Sequence, residues 1–80
     1  MIDHTLLDAY VTTAGDPERL TAAQRPLLGP DWTKLDELLL DLHMMRHGYT
    51  TESYDRHLER ALVEACADVS VVQRVKDLRL

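Results

Sequence analysis

Residues 30–48 constrain the fold of this chain more than any other segment. They read PDWTKLDELLLDLHMMRHG, with a proline and an acid at the start, a glycine at the end and a dense run of large apolar residues between. Proline and acids favour the first turn of a helix, whereas glycine favours its end. The segment therefore predicts a helix over residues 31–47.

Helical geometry gives this segment two apolar faces. Successive residues lie about 100° apart around an α-helix, so that one broad arc collects most of the large apolar side chains. The members of this arc are Trp32, Leu35, Leu38, Leu39, Leu42 and Met45. Leu40 and Met44 lie on the other side. A surface helix needs only one apolar stripe to meet its core, so the second stripe predicts a second neighbour, which we expect to be another copy of the chain.

Capping and spacing patterns predict helices elsewhere in the chain. The predicted helices cover residues 3–14, 51–67 and 71–79, and residues 17–28 predict two short turns or one broken helix. Asp3 is the predicted N-cap of the first helix, and Gly15 its stop. Ser70 and Gln73 match a capping box, which would start the last helix.

The predicted fold class is all-α. A short link joins the central helix to the next one, and short links between helices produce antiparallel neighbours. We therefore expect a small bundle of four to five short helices around a central antiparallel helical hairpin, formed by residues 1–80 as a single helical domain.

Length and composition favour a partner. A chain of 80 residues buries a modest share of its surface, and such chains often gain stability from a disulfide, a metal or a second subunit. Cys66 is the single cysteine, which excludes an internal disulfide. No stretch has the length or composition of a signal peptide or a membrane span, so we expect a cytoplasmic protein that does not bind a membrane.

The charge distribution favours a basic protein partner. The formal net charge is −5, and the excess lies in residues 1–42, which contain eight acids and three bases. Nucleic-acid phosphates repel an acidic chain, so we expect no direct nucleic-acid binding. Acidic surfaces instead complement basic surfaces on other proteins.

His43 and His47 are the strongest candidates for a metal-binding site. Histidines at i,i+4 lie one above the other on a helix and can chelate one Zn²⁺, Ni²⁺ or Cu²⁺ ion, with Asp36 or His57 as a further ligand. The His-Glu-x-x-His motif of zinc hydrolases is absent. Two histidines near a helix C-terminus also interact favourably with the helix dipole while they remain solvated, and we prefer this interpretation, with no metal and no cofactor.

The sequence offers no catalytic residues. Cys66 lies at the edge of an apolar stripe, where a buried thiol is expected, and His57 lies about 13 Å away along a helix. The three glycines are isolated and form no phosphate-binding loop. We therefore expect a protein that is not an enzyme.

The preferred function is a non-enzymatic adaptor or inhibitor that covers a surface of a partner protein as a homodimer. The expected contact residues are Asp36, Glu37, Leu40, Asp41, His43, Met44 and His47. Apolar residues and histidines would form the centre of this interface, and the acids would form its rim. One alternative is an acidic, phage-type inhibitor that mimics nucleic acid and occupies a DNA- or RNA-binding protein. Another alternative is a small histidine-based metal-binding protein.

Overall fold

The computed structural model describes residues 1–79 as an all-helical chain, and Leu80 lies outside the described residues. Four α-helices follow one another: α1 (His4–Thr13), α2 (Pro30–Arg46), α3 (Glu52–Ala65) and α4 (Val69–Asp77). They pack into a body of 41 × 23 × 19 Å. The prediction of a small all-α bundle is confirmed. Among the helices of residues 1–79, none combines the length and the apolar character that crossing a membrane requires.

One cluster of buried apolar side chains joins all four helices. Its members with almost no exposed surface include Leu7, Leu35, Leu38, Leu42, Leu62, Val71 and Val75. The core side of α2 is the predicted arc, since Trp32 is also buried and Leu39 and Met45 are partly buried against the cluster. Burial of one such side chain stabilises the fold by about 1.5–3 kcal/mol, so this arc fixes the orientation of α2.

The connection between α1 and α2 contains two 3₁₀ turns, Pro17–Arg19 and Arg25–Leu27. This is the first of the two alternatives that the sequence left open. The Asp16 carboxylate accepts a hydrogen bond from the Glu18 N–H at 3.0 Å and caps the first turn. The Gln24 side chain accepts from the Thr21 N–H at 3.1 Å, which is one half of a capping box.

Ile2 ties the start of the chain to the junction between α3 and α4. Its N–H donates to the Ala65 carbonyl and its own carbonyl accepts from the Ala67 N–H, both at 2.8 Å. Its side chain is fully buried. Because these two backbone groups bond to Ile2, they cannot extend the α-helix. This explains why α3 ends at Ala65, two residues before the predicted end.

The predicted capping box at the start of α4 is wrong. The N-cap is Asp68, whose carboxylate accepts from the Val71 N–H at 3.1 Å. Ser70 lies inside the first turn and donates its hydroxyl hydrogen to Asp68, while Gln73 donates to Asp77. The helix consequently begins at Val69 rather than at residue 71 and ends at Asp77 rather than at residue 79.

Helices α2 and α3 lie beside each other. The Tyr54 hydroxyl near the start of α3 donates to Asp41 in the second half of α2 at 2.6 Å. Ala61 and Glu64, in the second half of α3, line a surface pocket together with Lys34 near the start of α2. The Thr51 hydroxyl accepts from the Tyr54 N–H at 3.2 Å and caps α3.

We predict that Asp68→Ala lowers the free energy of unfolding by about 1 kcal/mol, because it removes the side-chain acceptor from the first turn of α4. Ser70→Ala keeps the bond between Asp68 and Val71 and serves as the matched control with a smaller loss. Urea denaturation followed by circular dichroism measures both values. A loss for Ser70→Ala that equals or exceeds the loss for Asp68→Ala would restore Ser70 as the cap.

Candidate protein-binding face of the central helix

The side of α2 that points away from the core carries most of the predicted contact residues. We call the strip formed by Glu37, Leu40, His43, Met44 and His47 the α2 outer face. The Leu40 side chain is 60% exposed, and the two histidines and Glu37 are exposed as well. Met44 is half-buried. The second stripe of the predicted helix is therefore a surface, and Leu40 forms its apolar centre.

A row of three rings extends the α2 outer face beyond the end of the helix. The ring centroids of His43 and His47 lie 4.3 Å apart, and those of His47 and Tyr49 lie 6.2 Å apart with nearly parallel planes. Tyr49 is 74% exposed. Three rings thus follow one another along the surface.

Sequence reasoning did not include Tyr49 among the contact residues, although a local signal for its position exists. Gly48 has a φ of +73°, and the N–H groups of Gly48 and Tyr49 donate to the carbonyls of Met45 and Met44. This pair of bonds is the Schellman motif, which needs a glycine after the helix cap and folds the next residue back toward the last turn. The Gly-Tyr dipeptide at the helix end is that signal.

Two of the three predicted rim acids are bonded to neighbouring helices. Asp36 accepts from the Tyr10 hydroxyl of α1 at 2.5 Å, and Asp41 accepts from the Tyr54 hydroxyl of α3 at 2.6 Å. Glu37 is exposed on the α2 outer face itself. The acids therefore differ in role, because Asp36 and Asp41 also join helices whereas Glu37 contributes charge to the surface.

Tyr10 is held tightly beside Asp36. Its ring packs on Trp32 with centroids 4.9 Å apart, and it is buried. Gly15 has a φ of +77°, and a Cβ at this position would lie 2.8 Å from the Tyr10 hydroxyl oxygen. Burial raises the pKa of Tyr10, and the hydrogen bond to Asp36 raises this pKa further.

The histidine pair does not gain a third ligand from its own chain within residues 1–79. No group of three or more His, Cys, Asp or Glu side chains in this part of the chain is placed to hold a metal ion. Asp36 accepts the Tyr10 hydroxyl, and His57 lies exposed on α3. Three ligands from one chain, as the sequence suggested, are thus not assembled. His43 and His47 remain as two adjacent imidazoles.

Arg74 of α4 binds both His4 and Asp8 of α1. Its guanidinium donates to His4 Nδ1 at 3.0 Å and to the Asp8 carboxylate at 2.6 Å. His4 Nε2 lies 2.8 Å from the Ser70 hydroxyl oxygen. Because arginine can only donate, Nδ1 must accept, and a neutral ring then carries its proton on Nε2. This tautomer cannot accept the Ser70 proton, so the pair lacks the arrangement of a base and a serine nucleophile.

Cys66 is buried, as the sequence predicted. Its side chain is 2% exposed, and burial raises the pKa of its thiol, with a further contribution from the negative charge of Asp68. Both effects favour the neutral thiol over the reactive thiolate. The side chain therefore packs as a small apolar group.

A groove between α3 and α4 is a second exposed apolar surface, which the sequence analysis missed. It has a volume of about 380 Å³, and Val63 and Val69 on its walls are largely exposed. An ion pair between Lys76 and Glu59 at 2.6 Å joins the two helices beside it. Val63 is an apolar residue that does not share the side of α3 on which Leu58 and Leu62 are buried. Its position outside that side was the signal in the sequence for a second apolar surface.

No family model matches the chain, nor does any curated protein or any solved structure. The chemistry of the α2 outer face is therefore the basis for assigning a function. This face combines an exposed leucine, a half-buried methionine, two imidazoles and an acid. Such a mixture suits a contact with another protein, since it offers an adaptable apolar centre with a charged margin.

We predict that Tyr10→Phe makes stability less sensitive to alkaline pH. The fold raises the pKa of Tyr10, so the stabilisation is complete below the unfolded pKa of about 10 and is lost as the pH rises above it. The variant should lose about 1 kcal/mol at neutral pH, because the bond to Asp36 is gone, and should show a shallower decline at higher pH.

Urea unfolding at about pH 8 and about pH 11 measures this decline on both sides of the tyrosine titration. Tyr49→Phe is the matched control, since that ring is exposed, and it should decline as steeply as the original chain. An unchanged decline for Tyr10→Phe would contradict the prediction.

Proposed function

We propose that this chain is a non-enzymatic adaptor or inhibitor that covers a surface of another protein and acts as a homodimer through the α2 outer face. The observation that carries the proposal is the 60% exposure of Leu40 in the middle of the helix whose other side lies in the core. The row of rings formed by His43, His47 and Tyr49 supports it, because these rings enlarge this surface. Aromatic side chains and methionine are enriched at the centres of protein interfaces.

The proposal takes α2 and α3 as the antiparallel hairpin that the sequence predicts, with the outer side of α2 left for a partner. A two-fold symmetric dimer places the same face of both copies in contact. Burial of the exposed part of one leucine contributes about 1–2 kcal/mol, and symmetry doubles this contribution. Leu40 and Met44 of two copies then supply an apolar centre of four side chains.

The acids supply the contact with the partner protein. Glu37 lies on the α2 outer face, and Asp36 and Asp41 lie beside it, so a dimer carries two sets of three carboxylates around its centre. A net charge of −5 for each copy strengthens the attraction to a basic surface. The partner of the proposed adaptor is therefore a protein with a basic patch.

We predict that Leu40→Gln weakens self-association at least tenfold, because glutamine keeps helix propensity and length but removes the apolar centre. Sedimentation equilibrium measures the dissociation constant, and circular dichroism checks that helicity is retained. Val11→Thr is the control, since Val11 is an exposed apolar residue on α1. Undiminished association of Leu40→Gln would contradict the prediction. Unfolding of this variant would show that Leu40 belongs to the core.

We also predict that Glu37→Gln weakens binding to a basic partner captured from cell extract, and does so more at about 50 mM than at about 300 mM salt. Glu52→Gln removes the same charge from α3, where Glu52 pairs with Arg56 at 2.8 Å, and should have little effect. Equal effects of both variants would contradict a local role of Glu37. Displacement of the captured partner by excess DNA or RNA would favour the nucleic-acid mimic instead.

A further inference from the structure

His43 and His47 have the spacing of a chelating pair. They lie one helical turn apart, both are exposed, and their ring centroids are 4.3 Å apart. A tetrahedral Zn²⁺ ion binds imidazole nitrogens at about 2.0–2.1 Å, which places two of these nitrogens about 3.3 Å from each other. Two rings on one side of a helix at the observed separation can meet this requirement by rotation about their side-chain bonds.

One chain fills only half of such a shell. Zinc sites that stabilise structure have four protein ligands, and within residues 1–79 no third His, Cys, Asp or Glu joins the pair. Asp36, the acid that the sequence suggested as a further ligand, accepts a hydrogen bond from Tyr10. A site of this kind therefore needs two further ligands from outside residues 1–79.

We infer that two copies of the chain share one Zn²⁺ ion through His43 and His47 of each copy, at the centre of a dimer of the α2 outer face. This inference rests on the proposed homodimer. A two-fold axis that passes through the ion presents the same pair twice, so four imidazoles complete a tetrahedral shell. Leu40 and Met44 lie beside the histidines and supply the surrounding apolar contact.

Charge explains why the second copy should need the ion. Each copy has a net charge of −5, and face-to-face contact brings Glu37, Asp36 and Asp41 of both copies toward one another. These like charges oppose association. A divalent cation held by neutral imidazoles at the centre offsets part of this repulsion and adds four coordinate bonds. Zinc then stabilises the dimer because it binds the four imidazoles of the dimer more tightly than the two imidazoles of a single chain.

The test is sedimentation equilibrium and native mass spectrometry of the full, untagged chain, with ZnCl₂, with MgCl₂ or with EDTA. We expect one Zn²⁺ ion for two chains and a dimer dissociation constant at least tenfold lower in ZnCl₂ than in EDTA. Mg²⁺ should have no effect, because it prefers oxygen ligands. His43→Ala and His47→Ala should each remove the response to zinc. His57→Ala, which changes an exposed histidine of α3, should retain it.

Four results would overturn the shared site. These are no bound zinc, one zinc ion per chain without dimer formation, a zinc response that survives His43→Ala, or loss of the zinc response in His57→Ala. Circular dichroism of each variant verifies the fold, and His43→Gln replaces His43→Ala if the alanine variant unfolds. A dimer that forms equally in EDTA without bound zinc keeps the proposed homodimer and removes the metal. A chain that is monomeric in every condition removes both.

Discussion

The backbone pairing of Ile2 with Ala65 and Ala67 is the constraint on which the arrangement of the helices depends. Ile2 bonds to the last carbonyl of α3, that of Ala65, and to the Ala67 N–H, which would otherwise continue the helix. The Ile2 side chain is fully buried. The chain must therefore turn after Ala65, and Asp68 then caps α4. The same pairing brings α1 beside α4, where Arg74 bonds to both His4 and Asp8. The polar contacts between α1 and α4 therefore depend on the buried residue Ile2.

Helical periodicity was sufficient to predict which residues of α2 lie in the core and which lie outside. Trp32, Leu35 and Leu38 are buried and Leu40 is exposed, because side-chain direction in a helix depends on residue number alone. The start of α4 could not be predicted in this way. Asp68 and Ser70 are both good N-caps by residue type, and the structure uses Asp68, which follows the backbone pairing of Ile2 with Ala65 and Ala67. Local signals propose helix ends, and tertiary contacts select among them.

In the candidate site, too, residue spacing predicts some features and tertiary packing determines others. The residues that share the α2 outer face follow from spacing, and the position of Tyr49 follows from the glycine before it. The hydrogen bonds of Asp36 and Asp41 to tyrosines cannot be predicted from spacing, because they depend on the rotation of α1 and α3 about their own axes. Sequence spacing places acids beside a surface, but only the packed neighbours decide which of them also join helices.

In the proposed dimer, the balance of forces at the α2 outer face makes association depend on conditions. The exposed part of Leu40 contributes about 1–2 kcal/mol per copy, whereas micromolar association needs about 8 kcal/mol after the entropy lost on binding is included. Two copies of net charge −5 also repel each other. Contact through Leu40 alone therefore falls short, and the proposed dimer requires an added attraction. A basic partner or a divalent cation supplies charge of the needed sign. In the proposed function, the acids and the histidine pair on one helix are two routes to the same result, since each would let this surface join another molecule when positive charge is present.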